Sequence, residues 1–147
     1  MALDLNNIVQ TAVGERYIVK RDHRDGTAEK SQWIISIEAE IVIFEFGFNS
    51  KWLSVSTESI WSLNLNNKGL DILGLSQRSE PPQQNLRIAK FVKSLEPFFW
   101  HGYPANYRRK IQDRPEVPIL KDWHRQGLIE KHDITKIRTG KKCNLSN

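Results

Sequence analysis

Apolar positions along this chain change period several times, and each change predicts an element. Leu5, Ile8, Val9 and Ala12 recur at helical spacing behind Asp4, with Gly14 just beyond, which predicts a short N-terminal helix. "RYIVK" (16–20) reads as a first strand, and Asp25-Gly26 in the polar run after it reads as a hairpin or loop. From Gln32 to Asn64 the period drops to two. "WIISIEAEIVIFEFGF" sets Val42, Phe44, Phe46 and Phe48 on one face and Ile41, Ile43 and Glu45 on the other. "KWLSVS" and "SIWSLNL" continue the alternation beyond a turn at Asn49-Ser50. Short β-branched and aromatic runs joined by tight turns predict an antiparallel meander, because parallel pairing would need crossover helices for which there is no room.

"NNKGLDILGLSQRSEPPQQ" is rich in turn residues and is broken by Pro81-Pro82, so it reads as a linker. In "QNLRIAKFVKSL" the positions Ile88, Phe91, Val92 and Leu95 form an apolar stripe, which predicts a helix stopped at Pro97. A last helix is predicted from near Pro118 in "EVPILKDWHRQGLIE". Gly127 would be its left-handed terminating residue, with Leu128 folding back on Trp123, and His124 and Arg125 would face the negative end of the helix dipole. The expected fold is α+β: an antiparallel sheet of four to five strands over about residues 15–65, packed on one side by an N-terminal helix and two C-terminal helices.

Composition narrows the class. A chain of 147 residues is the size of one domain, here with a basic C-terminal third (101–147) and an end (140–147) that reads as frayed. The single cysteine, Cys143, excludes an internal disulfide framework and suits a reducing compartment. The first residues show no basic leader, and no run of eighteen apolar residues occurs, so a cytoplasmic protein without a membrane partner is expected. Net charge is +5. Residues 1–100 carry 11 Lys+Arg against 12 Asp+Glu, whereas residues 101–147 carry 11 against 5. The whole excess lies in the last third, and that asymmetry points to a polyanionic partner.

The stretch "FFWHGYPANYRRK" (98–110) concentrates the candidate chemistry. Pro97, Gly102 and Pro104 suggest an ordered loop anchored by Phe98 and Phe99. Trp100, His101, Tyr103 and Tyr107 supply flat rings for bases, and Arg108, Arg109 and Lys110 supply charge for phosphates. The tail adds Lys136, Arg138, Lys141 and Lys142 and has no acidic residue after Asp133. Beside the 108–110 cluster these would extend one positive strip.

Other chemistries find less support. His124, His132 and Cys143 stand at intervals that match no zinc pattern, so neither metal nor cofactor is expected. Glu38, Glu40 and Glu45 do not share one strand face, which argues against a metal-dependent nuclease. No phosphate-binding glycine loop and no nucleophile elbow occurs. The expected function is non-catalytic binding of nucleic acid, single-stranded RNA in particular, because no recognition helix stands out and single strands reward exposed rings. Such a chain would serve as an accessory subunit among the proteins of a ribonucleoprotein assembly, for example a prokaryotic defence complex. One alternative is a protein-interaction module (an antitoxin, immunity or assembly factor) working through the Trp-rich sheet. It requires Trp52 and Trp61 to be exposed together. A second is a metal-independent ribonuclease using His101 or His124.

Overall fold

The structure, a computed structural model, describes residues 8–94 and 98–146. In chain order its strands are β1 (Ile8–Gln10), β2 (Arg16–Ile18), β3 (Gln32–Trp33), β4 (Leu53–Ser54), β5 (Ser59–Asn66), β6 (Gly69–Asp71), β7 (Gly74–Leu75), β8 (Asn85–Leu86), β9 (Ile88–Lys93) and β10 (Trp100–Ala105). Its α-helices are α1 (Ile37–Asn49), α2 (Val117–Arg125) and α3 (Lys131–Arg138). The main sheet runs β1-β2-β10-β9-β5-β4, with β6 on the far end of β5, and β3, β7 and β8 form a small second sheet. Pairing is antiparallel throughout except between β2 and β10, which meet in parallel at Tyr17 and Trp100. The α+β class therefore holds, with one helix in the first half and two near the C-terminus. The sheet is larger than expected and mixed.

Helices cover both faces of the sheet, not one. On the α1 side, Ile41, Ile43 and Phe44 pack against Tyr17, Ile60, Phe91 and Trp100. On the other side, Ile119, Leu120, Trp123, Ile129 and Ile137 from α2, α3 and their connection pack against Trp61, Leu63 and Ile88. The central strand β9, in which the buried Lys90 donates to Gln112 O at 2.6 Å, is thus buried on both faces. Gly102 is required where β10 crosses it: Gly102 pairs with Phe91, and any Cβ there would run into the Phe91 ring.

Five segments adopt an element other than the expected one, among them the loop expected at 97–107, which contains strand β10, and the linker expected at 66–84, which contains β6 and β7. Residues 37–49 are a helix, not strands. Ser36 caps it, its Oγ accepting from Ala39 N at 3.1 Å, and Glu38 and Glu40 sit in the first turn, where negative charge suits the dipole. Ile37, Ile41, Phe44 and Phe48 also lie at helical spacing, and in so continuous an apolar run both periods fit. Residues 85–93 are strands β8 and β9, not a helix (Leu95 and Pro97 lie outside the described residues). A strand buried on both faces usually reads as an unbroken apolar run, but here Lys90 and Lys93 interrupt it, and the apolar positions left at 88, 91 and 92 imitate a helix. Residues 8–10 are strand β1, held by pairing with β2, and Asp4 and Leu5 lie outside the described residues.

Elsewhere local chemistry decides. Gly127 stands at φ 75° after α2; its N–H reaches His124 O at 2.9 Å and Leu128 N reaches Trp123 O at 2.9 Å. These two bonds make the expected left-handed helix end, with Leu128 packed on the cluster that holds Trp123. At the chain's end Cys143 and Leu145 are buried against the same cluster.

Candidate nucleic-acid interface

Alternation along β10 divides its rings between two environments. Trp100 is 3% exposed on the α1 side, with Lys93 Nζ 5.8 Å from its ring centre, so it presents no face to a base. His101 and Tyr103 project to the opposite side. The Tyr103 ring stacks on His23 at 5.3 Å and 16°, and its hydroxyl donates to Asp113 Oδ1 at 2.8 Å. Asp113 is a hub: Oδ2 accepts from Asn106 N at 2.8 Å, and its carbonyl accepts from Trp61 Nε1 at 2.9 Å. Burial raises the Asp113 pKa, and burial together with the Asp113 charge raises that of Tyr103. Tyr107, also expected on the surface, is buried, and its hydroxyl donates to Lys141 O at 2.8 Å. Phe98, expected as an anchor, is instead 60% exposed, and Phe99 is half-buried.

The histidines differ. Burial lowers the His101 pKa to about 4, so the ring is neutral at pH 7, and its Nδ1 is buried without a hydrogen bond. His23, likewise lowered by burial, lies with Nδ1 2.8 Å from Ser31 O; a carbonyl only accepts, so Nδ1 carries the proton. His124 is exposed in the last turn of α2, with Nδ1 3.1 Å from Ile129 O.

The run Arg108-Arg109-Lys110 also divides. Arg109 donates to the carbonyls of Glu80 and of Pro82 (3.1 Å), and Lys110 pairs with Glu80 at 2.8 Å. Both side chains hold the 80–82 turn and are spent there. The remaining cations are gathered by a backbone staple. Arg114 donates to Tyr107 O at 2.8 Å and to Arg138 O at 3.1 Å, while Arg138 donates to Pro115 O at 3.0 Å. Lys141 N bonds Lys136 O at 2.8 Å, and Gly140 lies against Arg108 O and the Arg114 guanidinium. The loop after β10 and the end of α3 therefore run side by side. This seam brings Arg108, Arg114, Lys136, Arg138, Lys141 and Lys142 together, and none of the six forms an ion pair among the described residues.

Arg114 was absent from the expected site. It lies between elements, and only the carbonyls it reaches reveal its role. Trp52 and Trp61 are 1% and 3% exposed, and the Trp52 indole donates to Asp122 Oδ2 at 2.7 Å, so these two rings are core and are not exposed together. Among the described residues no group of three or more His, Cys, Asp or Glu is placed to hold a metal ion, and no helix is long and apolar enough to cross a membrane. No protein-family model, curated protein or solved structure matches the chain.

Proposed function

We propose that the protein binds single-stranded nucleic acid, RNA in particular, through the seam joining residues 107–115 to 136–142, without chemistry of its own, as an accessory subunit of a ribonucleoprotein assembly. The observation that carries this reading is that six cations from two segments are held side by side with no ion pair among the described residues: Arg114 and Arg138 fix the seam through backbone carbonyls, and Arg108, Lys136, Lys141 and Lys142 are left to meet a ligand. Charge left uncompensated and fixed by backbone bonds is what a polyphosphate chain rewards, through release of its condensed counterions. The half-buried rings of Phe99, His101 and Tyr103 add stacking area on one side of β10.

Labelled single-stranded RNA, single-stranded DNA and duplex, titrated across a salt series, test the reading. RNA affinity is expected to fall steeply with salt. Changing Arg108, Lys136, Lys141 and Lys142 together to Ala is expected to flatten the log–log slope by about 0.7 per contact removed. Arg109→Ala or Lys110→Ala is expected to leave the slope alone, since those side chains hold the 80–82 turn. An unchanged slope in the fourfold variant ends this reading, and a preference for duplex replaces its RNA part.

A ribonuclease at His101 is disfavoured by that ring's environment, since burial lowers its pKa to about 4, well below the near-neutral value that general-base catalysis rewards. RNA cleavage by the wild-type protein that is lost in His101→Ala would establish it; intact RNA dismisses it.

A further inference from the structure

Buried polar atoms without partners collect where β9 begins and β10 ends. Gln84 Oε1, Arg87 Nη1, Asn106 Oδ1, Asn106 Nδ2 and Arg108 Nε are each shut from solvent and make no hydrogen bond among the described residues. All four residues line one crevice of about 10 Å³, together with Leu145. Asn106 is 1% exposed. Folded proteins satisfy nearly all such groups, so five orphan atoms around one crevice call for a partner beyond the described residues.

The wall describes that partner. Two guanidiniums and an amide are donors, two of them fully charged, and no acidic side chain lines the crevice. An oxyanion oxygen suits them, and the volume holds about one oxygen atom. Gln84 Oε1 and Asn106 Oδ1 add acceptors, which call for a hydroxyl on the same anion. The monoanion of a phosphomonoester, favoured below its second pKa of about 6, carries one, as does inorganic phosphate, whereas carboxylate and sulfate do not. The crevice shares Arg87 and Leu145 with an open cavity of about 440 Å³, room for the rest of a ligand. There Asp133, buried and bonded through Oδ2 to Glu130 N, has Oδ1 3.6 Å from His132 Nε2 and without a hydrogen bond among the described residues, a position where a ribose or base donor could add one.

We infer that this crevice receives the phosphate of a phosphomonoester, one oxygen seated among Arg87, Asn106 and Arg108 and the remainder lying in the larger cavity. The ester comes either from a phosphorylated RNA end or from a free nucleotide. The RNA-end form rests on the nucleic-acid reading above, because Arg108 also belongs to the seam; the nucleotide form does not.

The experiment compares one oligoribonucleotide carrying 5′-phosphate, 3′-phosphate or hydroxyl ends, with calorimetric titrations of adenosine monophosphate, inorganic phosphate and sulfate alongside. A phosphorylated end is expected to bind about tenfold tighter than the hydroxyl end, as for a hydrogen-bonded charge. Phosphate or the nucleotide is expected to bind where sulfate does not. Arg87→Gln and Asn106→Ala are each expected to erase the gain while hydroxyl-ended RNA binds as before. Should Asn106→Ala fail to fold, Arg87→Gln and the ligand comparison decide alone. Equal binding of all ends with no binding of phosphate or nucleotide overturns the inference and leaves the seam standing. Binding of nucleotide without any RNA ends the seam reading and keeps the crevice as a nucleotide site. Equal binding of sulfate and phosphate reduces it to an unselective anion site and overturns it too.

Discussion

Two buried polar clusters, one under α1 and one where β9 begins and β10 ends, solve the same physical problem in opposite ways. Under α1, the Glu40 carboxylate is fully buried but fully used. Oε2 accepts from Tyr17 Oη, and Oε1 accepts from Arg24 Nε at 3.1 Å and Nη2 at 2.8 Å, while Arg24 Nη1 reaches Ile35 O at 2.8 Å. At the other place, around one crevice, Arg87 Nη1, Arg108 Nε and both amide atoms of Asn106 are buried without a hydrogen bond among the described residues. A satisfied cluster is closed to newcomers and serves the fold; an unsatisfied one has binding capacity left over. The same contrast separates Arg109 and Lys110, consumed by the 80–82 turn, from the unpaired cations of the seam.

The contrast can be broken most forcefully at Arg24. Removing one partner of a buried pair leaves a desolvated charge, so Arg24→Ala is expected to lower unfolding stability at pH 7 by about 3–5 kcal/mol. Burial already raises the Glu40 pKa in the intact protein, and losing Arg24 raises it further. A raised folded pKa gives stability that is present below the unfolded value and lost as pH rises through the folded one. Denaturant titrations should therefore show the deficit of Arg24→Ala shrinking as pH falls toward 5. A deficit below about 1 kcal/mol at pH 7 would mean that the α1 cluster is no tighter than a surface pair.

His101 provides the next test, smaller because its ring is only partly buried. Its folded pKa of about 4 lies below its usual 6.5, so the folded state binds fewer protons across that window. The sign is the reverse of that for Glu40: the contribution is present above pH 6.5 and lost as pH falls toward 4. His101→Asn should flatten the acid limb of the curve of melting temperature against pH. An unchanged limb would assign acid sensitivity to another group.

What could be read ahead of the coordinates followed from how local each cause is. The Gly127 helix end depends on five neighbouring residues and a left-handed backbone, and it was legible. Whether 37–49 or 88–93 is the helix depends on which is covered on both sides by layers distant in the chain, and composition pointed the wrong way for each. In the candidate site, the asymmetry of charge pointed to the last third of the molecule, where the proposed seam lies, and Arg108, Lys136, Lys141 and Lys142 carry no ion pair among the described residues. That Trp100 and Tyr107 turn inward and Arg109 and Lys110 are spent required knowing that β10 is an inner strand and that Glu80 lies beside the loop after it. Arg87 and Asn106 were invisible, because lacking a partner is a property of the assembled wall.

The smallest effect is also the sharpest measure of the contrast. Asn106→Leu keeps the side chain's volume while deleting two polar atoms that make no hydrogen bond. Removing Arg24 strands a charge, but removing this amide strands nothing within the chain, and it relieves the desolvation cost of an unpaired group, about 1–3 kcal/mol. In phosphate-free buffer Asn106→Leu is therefore expected to match or exceed wild-type stability by up to about 1 kcal/mol. Adding phosphate should stabilise wild type alone, by linkage to the occupied site. A loss near that of Arg24→Ala would show that the amide already has a full set of partners, a bound water network among them. The crevice would then belong with the satisfied cluster under α1.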